Sequence, residues 1–544
     1  NRPGFYIQDD WNVNDKFKLT YGLRIDGLFF NNIDLITNAA ILDLDYEGRH
    51  IDTGKWPSNS ITFSPRVGFT YDVFGDKSLK IRGGSGLFSG RLPLVFFTNM
   101  PTNGGLVQYQ AQLNAKTKVW DGKTNAPVKG FENYSGTYTT DNNGNRYLDM
   151  SQFAGGPMTS IAQMQEKLFA MGYPNHVTPE MGTVPSAVNG VDPDFKMPQV
   201  WKTSLAIDYQ LPVSFPFSVT VEGIFNKKIY DNCISDWAIP NVGGYSRFNG
   251  ADNRPIYPAG FRTGTKAFVL ENTSKGYGWS ANVTLNAQPF EWLSLMAAYT
   301  HTVSKEVTGM PGSAAESAFT YVPTVEGPNN IKLHNSQYVT PDRIVASATI
   351  NDKSGNHYNI VYESWRGGAN YSYMMLNDMN SDGYNYDALY IPTDAQVANG
   401  EFRFVSQDDA QRFMDYVHNE SYLKDHQGEY AEPYSLYSPW VHRVDIGYKH
   451  DFKLNVGNTK HTLQLSFDMK NVLNFFNSSW GVAKYLNSAI GSEARILKYE
   501  GVDAQGYATF STPAAINANT ETFAPSYSVG QCWYASVGVK YFFN

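Results

Sequence analysis

Cysteine, charge and long apolar runs are all scarce in this chain of 544 residues. Its two cysteines, Cys233 and Cys532, cannot build a disulfide framework or a cysteine metal site, and the sequence does not decide whether they meet. Charged residues make up only 17% of the chain, the formal net charge is −8, and no run of lysine and arginine occurs. Nucleic-acid binders need clustered cations that displace phosphate counterions, so the composition argues against nucleic acid as a partner.

No apolar stretch approaches the roughly 18 consecutive residues of a membrane helix. Residues 1–8 lack the basic and apolar regions of a secretory signal. Aromatic side chains are abundant instead, with 36 tyrosines and 33 phenylalanines among many small polar residues. A protein of this composition that resides in a membrane must cross it with strands.

Alternation of apolar and polar side chains with period two is the strongest local pattern. From Trp279 to Ala287 every second residue is apolar, and the residues between them are polar. The same alternation occurs over His461–Lys470, and shorter examples cover 205–211, 219–225 and 535–543. The pattern places the apolar side chains of each strand on one face.

The lengths of strands and connections favour a membrane barrel over a soluble sandwich, which would also alternate. Many candidate strands reach about ten residues, the length that crosses a bilayer at a tilt. Short connections alternate with long ones, which cover 27–59, 91–198, 232–275, 306–340 and 367–439. A structureless loop as long as 91–198 is exceptional in a compact soluble domain, whereas outer-membrane barrels combine short turns with long loops.

The sequence therefore predicts an all-β fold, a transmembrane antiparallel β-barrel of about fifteen strands with long extracellular loops that contain a short helix. An odd number of strands conflicts with the even number of single-chain barrels. We therefore expect Asn1 to be a cut, about seven strands to precede it, and the complete barrel to have about 22 strands, the size of a plugged transporter.

Five segments resemble the barrel of TonB-dependent outer-membrane receptors. They are FYIQDDWNVNDKFKLTYGLRID at 5–26, SPRVGFTYDVFGDKSLKIRGGSGLFSGR at 64–91, DMNSDGYNYDALYIP at 378–392, PWVHRVDIGYKHDF at 439–452 and FDMKNVLNFFNSSWG at 467–481. The segment at 378–392 is most similar to the Oar-like branch, whose members often carry a carboxypeptidase-regulatory-like domain before the plug. The resemblance identifies residues 1–544 as the C-terminal portion of a receptor barrel, without the plug or the TonB-contacting segment.

The resemblance implies an active transporter in the bacterial outer membrane. A sizeable substrate would bind in the outer loops and lumen, and TonB with its inner-membrane energising complex would displace the plug. Outer-membrane lipids and the barrel assembly machinery are further implied partners. The chain end resembles the C-terminal assembly signal of such barrels at Ser536, Gly538, Tyr541 and Phe543, and departs from it in Asn544. No cofactor is required for this activity.

A segment rich in oxygen side chains occupies 378–387. Its first half repeats the spacing of an EF-hand loop, with oxygen side chains at positions 1, 3 and 5 and Gly383 at position 6. The glutamate of position 12 is replaced by Leu389. The predicted ligands of Ca²⁺ are Asp378, Asn380, Asp382, the carbonyl of Tyr384 and Asp387. An Asx-rich turn that needs no ion is the alternative.

Two further features favour a polar interior beneath ordered loops. Residues 406–409 open an apparent helix through Lys424, with a capping box and an acidic first turn. This helix would either form a lid over the lumen or pack the long loop. Arg443 and Asp445 share one strand face with Lys449, which predicts a lumen wall of paired charges.

The sequence shows no catalytic motif, because the histidines have neither the spacing of metal ligands nor a nucleophile as partner. We therefore predict that the protein is not an enzyme. The glycines of 83–86 lie in a strand and lack the lysine of a phosphate loop, which argues against nucleotide binding. The aromatic and amide side chains of 91–198 suit sugars or peptides, but also loop packing and membrane girdles. A secreted soluble β-rich protein that binds or hydrolyses carbohydrate, and a passive porin, stay open as alternatives.

Overall fold

One large sheet dominates the computed structural model, which describes residues 2–30, 35–106, 114–153, 161–170, 176–240, 243–320, 322–366, 370–491 and 493–543. The sheet has 16 strands, and thirteen of them, which we call the wall, form a continuous antiparallel path. They are β1 (Gly4–Asn12), β2 (Phe17–Leu28), β3 (Ser60–Asp72), β4 (Leu79–Ser89), β5 (Gln199–Gln210), β6 (Phe217–Asp236), β7 (Tyr277–Phe290), β8 (Leu293–Glu306), β9 (Asp342–Asn351), β10 (Asn356–Arg366), β11 (Val441–Val456), β12 (Thr459–Lys470) and β13 (Tyr534–Phe543). The all-β prediction is confirmed.

The connections between wall strands alternate strictly in length. Short turns follow β1, β3, β5, β7, β9 and β11. Long loops follow the other strands and cover 29–59, 90–198, 237–276, 307–341, 367–440 and 471–533. Neighbouring strands run in opposite directions, so all the long loops leave the same edge of the wall. This arrangement confirms the predicted separation of short turns from long loops.

The two faces of the wall differ in chemistry, as the alternation predicts. Val283 and Leu285 of β7 lie opposite Tyr299 and Ala297 of β8, and these positions belong to an apolar face. Asn282 lies on the other face, which is polar. The apolar face is not covered by any other described part of the chain, and the side chains of Val283 and Leu285 are 39% and 38% exposed.

The buried hydrophobic side chains are concentrated in the long loops rather than in the wall. The largest cluster includes Phe413, Val417, Leu389 and Phe510 and draws on the loops 237–276, 367–440 and 471–533. A second cluster packs Phe97 and Phe195 against Phe268 and Phe319, and a third surrounds Tyr46. The long loops therefore form a packed body with its own cores, which we call the cap.

Short elements build the cap. Its helices are α1 (Ala39–Leu42), α2 (Val95–Thr102), α3 (Ile161–Ala170), α4 (Ala315–Phe319), α5 (Asp394–Ala398), α6 (Gln407–Asn419), α7 (Ser421–Asp425) and α8 (Val472–Phe476). Its strands are Lys118–Asp121, Ala126–Pro127, Tyr138–Thr140, Arg146–Leu148, Ala187–Val191, Lys266–Thr273, His334–Asn335, Asn370–Tyr371, Tyr373–Met375, Tyr390–Ile391, Arg403–Phe404, Glu429–Tyr430, Leu436–Tyr437, Lys484–Leu486, Ala494–Val502, Ala508–Ser511 and Phe523–Pro525. Within the described ranges, the helices are all too short or too polar to cross a membrane.

The helix predicted to run through Lys424 is divided into α6 and α7. The hydroxyl of Ser406 accepts the N–H of Asp409 at 3.1 Å, so the predicted start is confirmed. The predicted continuity is wrong at Glu420, where the backbone is extended with φ −92° and ψ 126°. There the Glu420 carboxylate accepts the N–H of Leu423 at 2.9 Å and caps the second helix.

Candidate functional site: the polar face of the wall and the cap

The polar face of the wall carries charged side chains that bond across neighbouring strands. Arg82 of β4 donates from Nε to Asp208 Oδ2 at 3.0 Å and from Nη1 to Glu222 Oε1 at 3.4 Å. The hydroxyl of Thr220 donates to the other oxygen of Asp208 at 2.8 Å. Three strands are thereby joined through their side chains on a surface that is polar enough to face water.

The paired charges predicted around Asp445 are present, with a different partner. Lys470 Nζ of β12 lies 2.8 Å from Asp445 Oδ2, so the cation comes from the neighbouring strand rather than from Lys449. Arg443 donates from Nε to the carbonyl of Gly481 at 2.9 Å. The register explains the difference, because side chains on one strand face meet those of adjacent strands more closely than those four residues away.

The predicted calcium ligands share one turn, but their oxygens accept hydrogen bonds from the turn itself. Asp378 accepts the N–H of Ser381 at 2.7 Å and of Gly383 at 2.9 Å. Asn380 Oδ1 accepts the N–H of Asp382 at 3.0 Å. Asp382 in turn accepts the N–H of Tyr384 at 2.8 Å. These are the bonds of an Asx-rich turn, in which short polar side chains replace backbone acceptors.

Asp387 has a protein cation as its partner. Arg254 donates from Nη1 to Asp387 Oδ1 at 3.0 Å, and its Nε and Nη2 reach both oxygens of Asp252 at 2.9 and 2.8 Å. The side chains of Arg254, Asp252 and Asp387 are only 0%, 3% and 1% exposed. The Arg254 guanidinium thus supplies, within the cap, the positive charge that the calcium prediction placed beside Asp387.

Burial strongly perturbs the acids of this loop. Burial, together with the charges of Asp387 and Asp378, raises the pKa of Asp382 to about 8. Burial also raises the pKa of Asp387, although the Arg254 guanidinium opposes that shift. In the described parts of the chain, no group of three His, Cys, Asp or Glu side chains has a geometry that could hold a metal ion. Calcium binding by this loop stays a prediction.

Sequence reasoning missed the two arginines that anchor this loop. Arg262 pairs with the fully buried Asp236 and donates from Nη2 to the carbonyl of Asp382 at 3.1 Å. The hydroxyl of Tyr384 donates to Asp236 Oδ2 at 3.1 Å. Neither Arg254 nor Arg262 lies in a recognisable motif, and both come from a loop that lies more than a hundred residues before the turn at 378–387.

The four residues of the predicted assembly signal lie on β13, which pairs with β12. Tyr541 lies opposite Leu463 and belongs to the apolar face, as does Phe543. Ser536 and Gly538 lie on the polar face. The placement agrees with a two-faced final strand, and the role in assembly stays a prediction.

Loop packing accounts for several aromatic side chains in the loop 90–198. The Arg146 guanidinium lies 4.8 Å from the ring centre of Trp120 and 4.5 Å from that of Tyr138. Phe131 and Tyr134 contact each other edge to face at 5.8 Å. Residues 107–113, 154–160 and 171–175 of this loop lie outside the described residues.

The two cysteines do not form a disulfide. Both are free thiols: Cys233 is partly buried and Cys532 is exposed.

The chain is similar to a known protein family and to several solved structures. A family model described as an outer membrane beta barrel domain matches residues 1–492. Solved structures similar to the chain include the outer membrane transporter YddB from Escherichia coli (TM-score 0.42, 11% identity, 99% of the chain covered) and a mutant of the ferric enterobactin receptor PfeA from Pseudomonas aeruginosa (0.39, 9%, 99%). The FrpB iron transporter from Neisseria meningitidis is another (0.38, 10%, 100%).

The chain covers 45% of the length of each of these three structures. A search of curated protein sequences finds no match. The family model spans most of the chain and agrees with the two-faced wall, the short turns and the long loops. The chain therefore belongs to the outer membrane β-barrel domain family.

Proposed function

We propose that this chain is part of an active transporter that carries a sizeable substrate across the bacterial outer membrane. In this proposal the cap receives the substrate, the polar face of the wall lines the passage, and TonB with its inner-membrane energising complex drives transport. The observation that carries the proposal is the two-faced wall joined to a packed cap. The resemblance of five segments to TonB-dependent receptors supports the source of energy.

The exposed apolar face supports a membrane location over the soluble alternative. Val283 and Leu285 are 39% and 38% exposed although β7 is paired with a strand on each side, and such exposure in a contiguous apolar patch is unusual for side chains that face water. A lipid-soluble photoactivated probe in membranes is expected to label Val283 and Leu285 and to spare Asn282. The reverse labelling would place the polar face toward lipid and would contradict the proposal.

Active transport and passive diffusion are distinguished by their need for energy. Mass spectrometry of the protein extracted from its native outer membrane identifies the solute that copurifies with it. Uptake of that solute is then measured in cells with and without a protonophore, and in cells that lack TonB. We expect uptake to fall to background in both treatments. Unchanged uptake would establish a passive porin and refute the active mechanism.

A further inference from the structure

Two cations flank a glycine on the polar face of the wall, near the loop end. The register places Gly86 of β4 directly between Arg66 of β3 and Lys202 of β5. On the far side of Arg66, the opposing residue of β2 is another glycine, Gly22. Because strands are about 4.8 Å apart, the backbones of Arg66 and Lys202 are separated by about 10 Å, and no side chain stands between them.

The two cationic groups converge on one aromatic ring. The guanidinium carbon of Arg66 lies 5.3 Å from the ring centre of Phe88, and Lys202 Nζ lies 5.9 Å from the same centre. Phe88 is on the polar face of β4, one position nearer the cap than Gly86 on that face. The ring attracts both cations, so each cationic group is held beside Phe88, one from either side of β4.

The three side chains border a depression of about 370 Å³. Gly68 and Gly84 form part of its lining, and at Gly84 a Cβ atom would lie 2.9 Å from the carbonyl oxygen of Val67. A Cβ at Gly86 would lie 2.8 Å from that of Arg66. The absence of side chains at Gly68 and Gly84 leaves the depression open, which assigns a local purpose to part of the glycine-rich stretch at 83–86.

The neighbouring carboxylates of the polar face already have other partners. Asp208 and Glu222 pair with Arg82, and Asp26 pairs with Arg24. Arg66 and Lys202 form no ion pair with a carboxylate in the part of the chain that the structure describes. An anion bound in the depression is attracted by both cations and accepts charge-assisted hydrogen bonds from them.

We propose that Arg66, Lys202 and Phe88 form an anion-binding subsite in the passage, which takes a carboxylate or phosphate group of a solute whose apolar part lies against Phe88. The inference rests on the proposed function, because it requires the polar face to line the passage. It adds that the solute is anionic, and it predicts where in the wall its charge is held.

Fluorescein and rhodamine 110 test the subsite, because they share a xanthene ring system and fluorescein carries the greater negative charge. Fluorescence anisotropy is measured for each dye with the purified full chain in detergent, and with detergent alone. We expect saturable binding of fluorescein, weaker binding of rhodamine 110, and weaker fluorescein binding in high salt because its charge is screened. Displacement by inorganic phosphate or by citrate indicates which anionic group is preferred.

Arg66→Gln and Lys202→Gln are each expected to weaken fluorescein binding about tenfold, because each removes a charge-assisted hydrogen bond. Lys80→Gln is the matched control, since Lys80 lies on the same face of β4 outside the depression. The affinity of this variant for fluorescein should stay within about twofold of that of the parent protein. Retention of heat-modifiable gel mobility confirms that each variant is folded.

Three results would overturn the subsite: equal affinity of the parent and both glutamine variants, equal binding of the two dyes, or absence of fluorescein binding to the parent. The assay needs neither TonB nor transport. Its failure would therefore leave the uptake experiment intact as a test of the proposed function, and loss of energy-dependent uptake would not alter the binding result.

Discussion

Replacement of Arg254 by methionine tests how the cap is held together. The variant removes the cation from a buried triad but keeps a long apolar side chain in its place. Arg254 donates at 2.9 and 2.8 Å to Asp252, at 3.0 Å to Asp387 and at 2.6 Å to the carbonyl of Ala388. The bonds to Asp387 and Ala388 join the loop 237–276 to the loop 367–440, so the change is expected to loosen both.

The expected magnitude follows from burial. Removing one partner of a buried ion pair leaves a carboxylate without compensation and costs about 3–5 kcal/mol. The Arg254→Met variant leaves two such carboxylates, Asp252 and Asp387, both almost fully buried. Local opening of the cap should then be easier by about the same free energy, which corresponds to hydrogen exchange that is about 10²- to 10⁴-fold faster.

Hydrogen exchange detected by mass spectrometry measures this effect in peptides that cover 370–392. Arg247→Met is a matched control from the same loop, since Arg247 pairs with Glu326 at the surface, where the two side chains are 40% and 31% exposed. An exposed pair of this kind contributes at most about 1 kcal/mol. Exchange in the wall strands should not change in either variant, because the triad lies in the cap.

Two double variants test whether the unpaired carboxylate charge causes the loss of protection. Asp252→Asn and Asp387→Asn in the Arg254→Met background remove the unpaired carboxylates and should restore much of the protection. Exchange in 370–392 that is no faster in Arg254→Met than in Arg247→Met would refute the reasoning. It would show that the buried triad does not hold the two loops together.

Three further predictions concern the loops. Gly481→Ala should destabilise the loop 471–533 by about 2 kcal/mol or more, because the φ of Gly481 is 65° and the new Cβ would lie 1.9 Å from Asn471 Oδ1. Gly457→Ala is the control, since its new Cβ meets no atom within 4 Å, and faster local hydrogen exchange in Gly481→Ala than in this control would confirm the prediction. Because the pKa of Asp382 is raised to about 8, its carboxyl group contributes fully to the stability of the cap below about pH 4, and that contribution is lost as the pH rises to about 8. Thermal melting curves recorded across this pH range should show the loss. If calcium binds there, its addition near pH 9 should reverse the loss of stability, and EDTA should abolish the reversal. Glu420→Ala should weaken α7 by about 0.5–2 kcal/mol through loss of its cap, seen as faster exchange in 421–425 with α6 unchanged.

Local pattern was sufficient for the wall. The alternation in β7 and β12 predicted which side chains share a face, because successive residues of any strand point to opposite sides. Helix capping at Ser406 was equally local, and its prediction is confirmed. The break at Glu420 was not predicted, because a glutamate in a polar helix end fits the continued helix and the new cap equally well.

The candidate site was predicted only in part. Spacing identified the turn at 378–387, because Asx side chains bond to backbone N–H groups two or three residues away. Spacing could not identify Arg254, which lies more than a hundred residues earlier, or the meeting of Arg66 with Lys202 across β4. The positive charge beside Asp387 comes from Arg254, and calcium binding by the turn stays a prediction.

The sequence by itself determined the two-faced strands, the division into short turns and long loops, and the turn at 378–387, since each depends on residues that are neighbours along the chain. Only the tertiary structure decided which cation pairs with each carboxylate, and which cations have no carboxylate partner among the described residues. The physical reason is that ion pairing depends on distance in space, and strand register and loop packing bring together side chains that the chain order keeps far apart.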